Sequence, residues 1–334
     1  MHLNRLLVAI FAAATVAVAA RAAGPVNIRV GWVVSPPELQ PILFAKAGVA
    51  QHLGKTYTYE PIHFQATPAM ITALVSSQLD IAPFTYPSFG SSIENAGLSD
   101  LRILANEFED GVAGYFSEPY MVLKSSGITK VEDLKGKVIA SNGIGSGVDL
   151  AMRVMLKKHG LEDKRDYSVV EIGFPNMKAV LVEGKVTLIT ASVLTANDPE
   201  LLEKAQTLFT QRDAVGVTQF AMWTARADYI KQHRAALVDF LEDSLRALRW
   251  YLGLKNHDAA VKIAADFTKQ PPERFAGWLF TKKDQYRNPE GLPDLKALQG
   301  NLDEQKKMGF LKEHLDVSKY VDLSLVKEAA QRIK

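Results

Sequence analysis

Between Ala140 and Asp149 the chain reads Ala-Ser-Asn-Gly-Ile-Gly-Ser-Gly-Val-Asp. Three glycines let the backbone turn sharply, and Ser146 stands where it can cap a following helix. Asp149, three residues on, completes a capping-box spacing. The free N–H groups and positive dipole end of such a helix form a cradle for an anion. Catalytic signatures fit this stretch less well. A hydrolase nucleophile elbow needs one residue between the serine and each glycine. A dinucleotide fingerprint needs a final glycine where Val148 and Leu150 stand, and no P-loop lysine follows. The histidines at 52, 63, 159, 233, 257 and 314 are scattered without metal-ligand spacing, and Glu132-Asp133 and Glu162-Asp163 read as helix-start and turn acids. The expectation is therefore a binding protein with no catalytic residue, no metal and no cofactor.

The elements that position the cradle alternate. A strand over Lys137–Ala140 enters the turn, and a helix leaves it, ending at Lys157-Lys158-His159 before Gly160. Strands are expected over Asn27–Val34, Tyr57–Phe64, Leu79–Phe84, Leu101–Asn106, Pro119–Leu123, Tyr167–Ile172, Val186–Ala191 and Gly216–Trp223. Helices are expected near Glu38–Val49, from Thr67 (cap) with Pro68 in its first position, from Tyr86 to Gly97, and over Asn176–Glu183. A second capping box is read at Thr129 and Glu132. A long helix over Lys231–Leu252 puts Leu237, Phe240, Leu241, Leu245, Leu248 and Leu252 on one face. This alternation predicts an α/β layer fold.

One unit recurs. Pro68-Ala69-Met70 through Leu74-Val75, followed by Leu79-Asp80-Ile81, matches Pro175-Asn176-Met177 through Leu181-Val182, followed by Val186-Thr187-Leu188. The same helix–strand unit in each half predicts two similar lobes.

Met1–Arg5 is a short positive leader, Leu6–Ala20 is unbroken and apolar, and Ala20-Arg21-Ala22 supplies the small residues of a cleavage site. A signal peptide over residues 1–22 and a soluble mature chain are therefore expected. The 39 Lys+Arg and 37 Asp+Glu become balanced once Arg5 and Arg21 are removed, so a nucleic-acid partner is not expected. The chain has no cysteine. That removes disulfides, a thiol nucleophile and a lipid-anchored cysteine, and with the leader it points to the periplasm. A mature chain of about 310 residues suits two domains.

In open α/β sheets ligands collect beyond the carboxyl ends of strands. Four such places stand out: Trp32–Ser35, Gln65–Thr67, Phe84–Tyr86 and Asn142–Ser146. Their mixture of Ser, Thr, Gln and Asn with aromatic rings suits a small solute with a polar head and an apolar body. The blander alternative stays open: Trp32 and Phe84 as core residues, Ser146 as a plain cap.

These residues also carry a resemblance. Ile28-Arg29-Val30-Gly31-Trp32, Thr67-Pro68-Ala69-Met70 leading to Leu79-Asp80-Ile81, Asp133-Leu134-Lys135-Gly136-Lys137-Val138 into Gly145-Ser146, and Ala227-Asp228-Tyr229-Ile230 before the long helix come in an order that resembles the nitrate/sulfonate/taurine-type solute-binding receptors of ABC transporters, a group that includes thiamine-precursor-like members. The resemblance implies a two-lobed periplasmic-binding-protein fold of type II, each lobe a central sheet flanked by helices, with two hinge crossings near Phe116–Val122 and Val215–Met222. Lobe 1 would then span 23–115 and 219–334, and lobe 2 would span 116–218. It implies a monomeric receptor that captures a small organic anion, a sulfonate or carboxylate, and delivers it to an inner-membrane permease with its ATPase. The implied ligand positions are Trp32, Ser35, Gln65, Thr67, Phe84, Thr85 and Tyr86 from lobe 1, and Asn142, Gly145, Ser146, Thr195 and Asn197 from lobe 2. Thr187 departs from the pattern, which has an aspartate there, as Asp80 supplies in lobe 1. Two rival readings are an enzyme of thiamine-pyrimidine type on the same scaffold and an exported sensor domain.

Overall fold

The computed structural model describes residues 24–333, so the leader expected over residues 1–22 lies outside the described residues. Strand β1 (Val26–Trp32) pairs in parallel with β2 (Tyr57–His63), with Val26 opposite Tyr57. Helix α1 (Thr67–Val75) leads to β3 (Ala82–Thr85), and α2 (Tyr86–Glu94) to β4 (Leu101–Asp110). The chain then crosses to β5 (Pro119–Leu123), β6 (Lys137–Ser141), α3 (Gly147–Lys158), β7 (Tyr167–Glu171), α4 (Met177–Val182) and β8 (Leu188–Thr190). Two short helices, α5 (Val193–Ala196) and α6 (Pro199–Lys204), precede β9 (Ala205–Thr210), and α7 (Gln211–Val215) precedes the return crossing to β10 (Thr218–Arg226). Five further helices finish the chain: α8 (Ala227–Leu252), α9 (His257–Thr268), α10 (Glu273–Ala276), α11 (Leu295–Lys307) and α12 (Ser324–Arg332).

The strands form two halves of one pattern. A bridge from Val30 to Ile81 joins the β1–β2 pair to the β3-β10-β4 sheet, giving the order β2-β1-β3-β10-β4. The second sheet runs β7-β6-β8-β5-β9. In each, the fourth strand is antiparallel to both neighbours and is the first strand after a crossing, β10 in one and β5 in the other. The expected two-lobed α/β architecture is present.

The recurring unit occupies matching places. Met70 and Met177 are both fully buried, as are Leu74 and Leu181 to within 2 %. Asp80 N–H donates to the Arg29 carbonyl at 3.0 Å, and Thr187 N–H donates to the Val138 carbonyl at 2.8 Å. Arg29 and Val138 are therefore equivalent, and so are Asp80 and Thr187. In lobe 1 the Arg29 guanidinium holds the Asp80 carboxylate at 2.7 and 2.8 Å. In lobe 2 both partners are replaced together, so the missing aspartate belongs to a lost ion pair at the strand entrance.

The core is built around α8. It buries Leu237, Phe240, Leu241 and Leu245, while Leu248 and Leu252 are partly buried against the same cluster. Phe240 alone is worth roughly 1.5–3 kcal/mol relative to exposure. Buried Asp243, also on α8, accepts from Gln51 N at 2.7 Å, His52 N at 2.8 Å and Tyr57 Oη at 2.8 Å. That tie anchors the irregular stretch after β1 to the helical layer.

Three local expectations are corrected. No α-helix forms near Glu38–Val49, where only Gln40–Ile42 makes a 3-10 turn. Pro36, Pro37 and Pro41 remove three N–H donors within six residues, and an α-helix cannot continue through them. Thr67 does not cap α1; Ala66 takes that position and the Thr67 hydroxyl bonds Thr85 and Ser88 at 3.0 and 2.8 Å. The second capping acid is Asp133, which accepts from Thr129 N at 2.9 Å and Lys130 N at 3.1 Å, while Glu132 bonds His159. Finer departures are small: α8 begins four residues early with a kink at His233, and β4 runs on to Asp110.

Candidate functional site

A cavity of about 610 Å³ lies between the lobes. Lobe 1 contributes Trp32, Ser35, Gln65 and Phe267, and lobe 2 contributes Phe174, Lys178, Thr195 and Asp198. The Trp32 ring packs 4.5 Å from His63 and 6.1 Å from Phe267, edge-on, forming an aromatic wall. The Ser35 hydroxyl is buried without a partner among the described residues. Facing it, Asp198 lies between two cations, Lys178 at 3.1 Å and Arg274 at 2.9 Å. Against the opposing effect of desolvation, its bond from Leu201 N–H and then these two cations hold the Asp198 carboxyl below the usual range. Arg274 belongs to α10 and Asp198 to the loop before α6, so this ion pair ties the lobes across the cavity mouth.

An adjoining inner recess of about 30 Å³ shares Val33, Val34 and Phe174 with the cavity as lining. It is lined by Thr67, Thr85, Asn142, Ser146 and the rings of Phe108 and Phe220, together with Glu38, Glu118 and Gln285. The two rings stack at 5.2 Å.

The Ser146 turn folds as expected and also receives the surface of lobe 1. Ser146 caps α3, accepting Asp149 N–H at 3.3 Å, and Gly160 ends the segment in a left-handed conformation. Three of the loop's donors are already occupied by the chain's own side chains. Gly145 N–H donates to Asp149 at 2.9 Å, Ile144 N–H to Glu171 at 2.6 Å, and the Ser146 hydroxyl to Asn142 Oδ1 at 2.7 Å. Asp149, next to Arg153 at 2.8 Å, already places a carboxylate at the α3 dipole. Burial nevertheless lifts its carboxyl above the ordinary range, with Arg153 opposing the shift. The bare backbone has a second reason as well. A Cβ on Gly143 would lie 2.5 Å from the Ala66 Cβ, and one on Gly147 would lie 2.8 Å from the Phe220 ring. The glycines let lobe 1 close directly onto the turn. Gln65 Nε2 donates to the Asn142 carbonyl at 3.3 Å and the Ser88 hydroxyl to the Gly145 carbonyl at 3.3 Å across this seam.

The expected residues therefore divide. Trp32, Ser35, Gln65 and Thr195 meet at the cavity, and Thr67, Thr85, Asn142 and Ser146 meet at the recess. Four expectations are corrected. Phe84 is fully buried in the hydrophobic core of β3, opposite Met222. Tyr86 is buried beneath the lobe seam, where desolvation and the nearby Asp110 and Asp149 raise its phenol. Gly145 meets Ser88 and Pro68 rather than the cavity. Asn197 turns back to the Val193 carbonyl at 2.8 Å at the end of α5. Missed by sequence reasoning were Phe174, Phe267, Lys178, Arg274, Glu118 and Gln285. Phe174 had a usable signal, since Phe174-Pro175 sits where Thr67-Pro68 does in the recurring unit. Phe267 and Arg274, in α9 and α10, had none.

Known proteins share this architecture. The family model described as "NMT1/THI5 like" matches residues 113–254. No curated protein matches the chain. Among solved structures, the chain is similar to the alkanesulfonate-binding protein SsuA from Xanthomonas axonopodis pv. citri bound to MOPS, with 18% identity over 90% of this chain and 99% of that one, TM-score 0.70. It is also similar to the periplasmic nitrate-binding protein NrtA from Synechocystis PCC 6803, with 17% identity over 93% and 89%, TM-score 0.69. The chain shares their two-lobed fold. The desulfurization enzyme DSZB has it too, at 14% identity over 92% and 100%, TM-score 0.64. The family matched and the fold shared agree with the resemblance drawn from the sequence.

Proposed function

We propose that this chain is the substrate-binding receptor of an ABC importer, working in the periplasm as a monomer. It captures a small organic anion between its lobes and releases it to an inner-membrane permease with its ATPase. The observation that carries this reading is the 610 Å³ cavity with walls from both lobes. Its size suits a small molecule, and its lining pairs an aromatic wall with Lys178 and Arg274. Support also comes from the sulfonate- and nitrate-binding proteins that share the fold. We take the lobes as 23–115 with 219–334, and 116–218, closing about the two crossings as hinges. The carbon body packs on Trp32, Phe267 and Phe174. The acid end meets Lys178 and Arg274, and the Ser35 hydroxyl serves as a further partner. Among the described residues no helix is long and apolar enough to cross a membrane.

The test is a thermal-shift screen over alkanesulfonates, aromatic carboxylates and nitrate, followed by calorimetry. A ligand at 100 times its Kd stabilises by about 2.7 kcal/mol. Arg274→Ala is expected to weaken capture of the best hit. A screen in which no anion shifts the transition sinks the proposal. The second reading, an enzyme, draws on DSZB. It predicts that the bound molecule is consumed, which product analysis of the hit after incubation decides.

A further inference from the structure

The two ends of the binding space differ in charge. At the mouth, Lys178 and Arg274 face Asp198. Among the described residues no lysine, arginine or histidine lines the inner recess, whereas two carboxyl groups and the Gln285 amide do. Glu118 stands at the end of the first crossing, and Gln285 comes from lobe 1. Gln285 Nε2 donates to Glu118 Oε1 at 2.8 Å, which joins the lobes at the recess. That bond leaves one oxygen on each residue. Glu118 Oε2 and Gln285 Oε1 are both buried and have no hydrogen-bond partner among the described residues, in side chains only 5 % and 3 % exposed. Beside them Glu38 accepts Val33 N–H at 2.6 Å. Arg287, the buried cation close by, is committed to Asp284 at 3.0 Å and to the Pro37 carbonyl at 2.6 Å.

Buried acceptors left unpaired are costly, and a ligand donor that reaches them recovers that cost. The recess has room for about one water-sized group, roughly 30 Å³. An amino nitrogen has that size and supplies more than one N–H.

Building on the receptor reading, we propose that Glu118 and Gln285 form a specificity pair for a nitrogen donor, so that the solute carries an amino group at its buried end and its acid group at the mouth. Burial, reinforced by the nearby charges of Asp110 and Asp284, holds the Glu118 carboxyl well above the usual range, with the Gln285 bond opposing. A cationic nitrogen in the recess opposes that effect and favours the ionised carboxylate, whose free oxygen then accepts its N–H.

The experiment measures calorimetric affinities of the full chain for matched pairs in which a methyl replaces the amino group: 3-aminopropanesulfonate against butanesulfonate, and 4-(aminomethyl)benzoate against 4-ethylbenzoate. The expected result is that an amino member binds at least about 30-fold tighter than its partner, because a site built to bond a donor rejects the analogue lacking it. Glu118→Gln, which keeps shape, removes most of that ratio by weakening the amino member alone. Gln285→Leu, which removes the second acceptor, does the same if the first variant folds poorly. Equal affinities within every pair, or a ratio unchanged in both variants, overturn the inference and leave the receptor reading standing. If no probe of either kind binds, the receptor reading falls and takes the inference with it.

Discussion

Lobe 1 and lobe 2 share a strand order but diverge immediately after their first strand. In lobe 2, β6 runs into the glycine turn and then α3, twelve residues long with a capped start. In lobe 1, β1 runs into Ser35-Pro36-Pro37 and an irregular stretch whose one helical piece is the 3-10 turn Gln40–Ile42. The helical lobe brings a backbone that another surface can approach closely. The irregular lobe brings side chains, Trp32, Ser35 and Glu38, into the same space. Lobe 2 thus provides a bare seat beside Phe174, Lys178 and Thr195, lobe 1 adds side chains from its irregular stretch, and the two walls of the cavity do not duplicate each other.

Four changes would break or sharpen that comparison. The largest effect is expected from Gly143→Val. Its Cβ would meet the Ala66 Cβ at 2.5 Å, an atom fixed directly to the backbone. Overpacking of this kind costs about 1–3 kcal/mol, here borne by the closed state, so capture of any identified ligand should weaken about 10- to 100-fold with little change in the unliganded transition. Solution scattering should show a more open particle, and unchanged affinity would show that the seat is not needed for closure.

Next is Asp80→Ala. It removes the acceptor of Arg29 N–H at 2.9 Å as well as the ion pair, and hydrogen bonds to charged groups are worth about 1.5–3 kcal/mol. Thr187→Ala, at the equivalent place, should cost less than about 0.5 kcal/mol. Chemical denaturation compares the two, and equal losses would undo the assigned equivalence.

Two sets of acids, one from each lobe, should also respond oppositely to pH. Along β4 in lobe 1, burial pushes the carboxyls of Glu107, Glu109 and Asp110 up to about 7. Such groups favour the folded state when protonated. Their contribution is whole below the unfolded values near 4 and is lost as pH rises through about 7. In lobe 2, Asp133 is lowered by backbone N–H bonds from Thr129 and Lys130, and Asp166 and Glu200 are lowered by hydrogen bonds from Arg165 and Lys178. Their contribution is lost instead as pH falls through the acid range below about 4. The unliganded protein should therefore melt higher at about pH 5.5 than at about pH 8, and Asp110→Asn should flatten that difference. A melting temperature that rises between those two conditions would contradict the burial of these acids. The smallest effect is expected from installing the missing pair, Val138→Arg with Thr187→Asp. Partly exposed pairs are worth about 0–1 kcal/mol, so a gain within that range by denaturation is the expected outcome.

The strand–helix alternation was legible because burial imposes a period on each element. The recurring Met and Leu positions were legible because both lobes bury the same face. Direction was not legible. Phe84 and Phe174 are each an aromatic next to a proline, yet one is buried under β3 and the other lines the cavity. Only the packing of neighbouring strands separates them. The expected helix near Glu38–Val49 failed where Pro36-Pro37 stand immediately before its span and Pro41 falls inside it. Ser146 was correctly read as a cap. Its hydroxyl's proton goes to Asn142, a contact within the same turn that spacing alone did not reveal. Glu118 and Gln285 meet only because two distant segments converge at the hinge.

The antiparallel pairing of β10 with β4 sets Thr218 opposite Asp110. Everything between them, the whole of the second sheet, is therefore a closed excursion that leaves and re-enters at one point. This has a consequence for the order of folding. Joining β4 to β10 through a disordered segment means closing a loop of roughly a hundred residues. If the excursion has already folded, the effective loop shrinks to roughly eight, and the closure entropy falls by about 2 kcal/mol. The second sheet, contiguous in sequence, acts as its own splint. During refolding, amide protection in β6 and β8 should appear before protection in β4 and β10, even though β4 leaves the ribosome first.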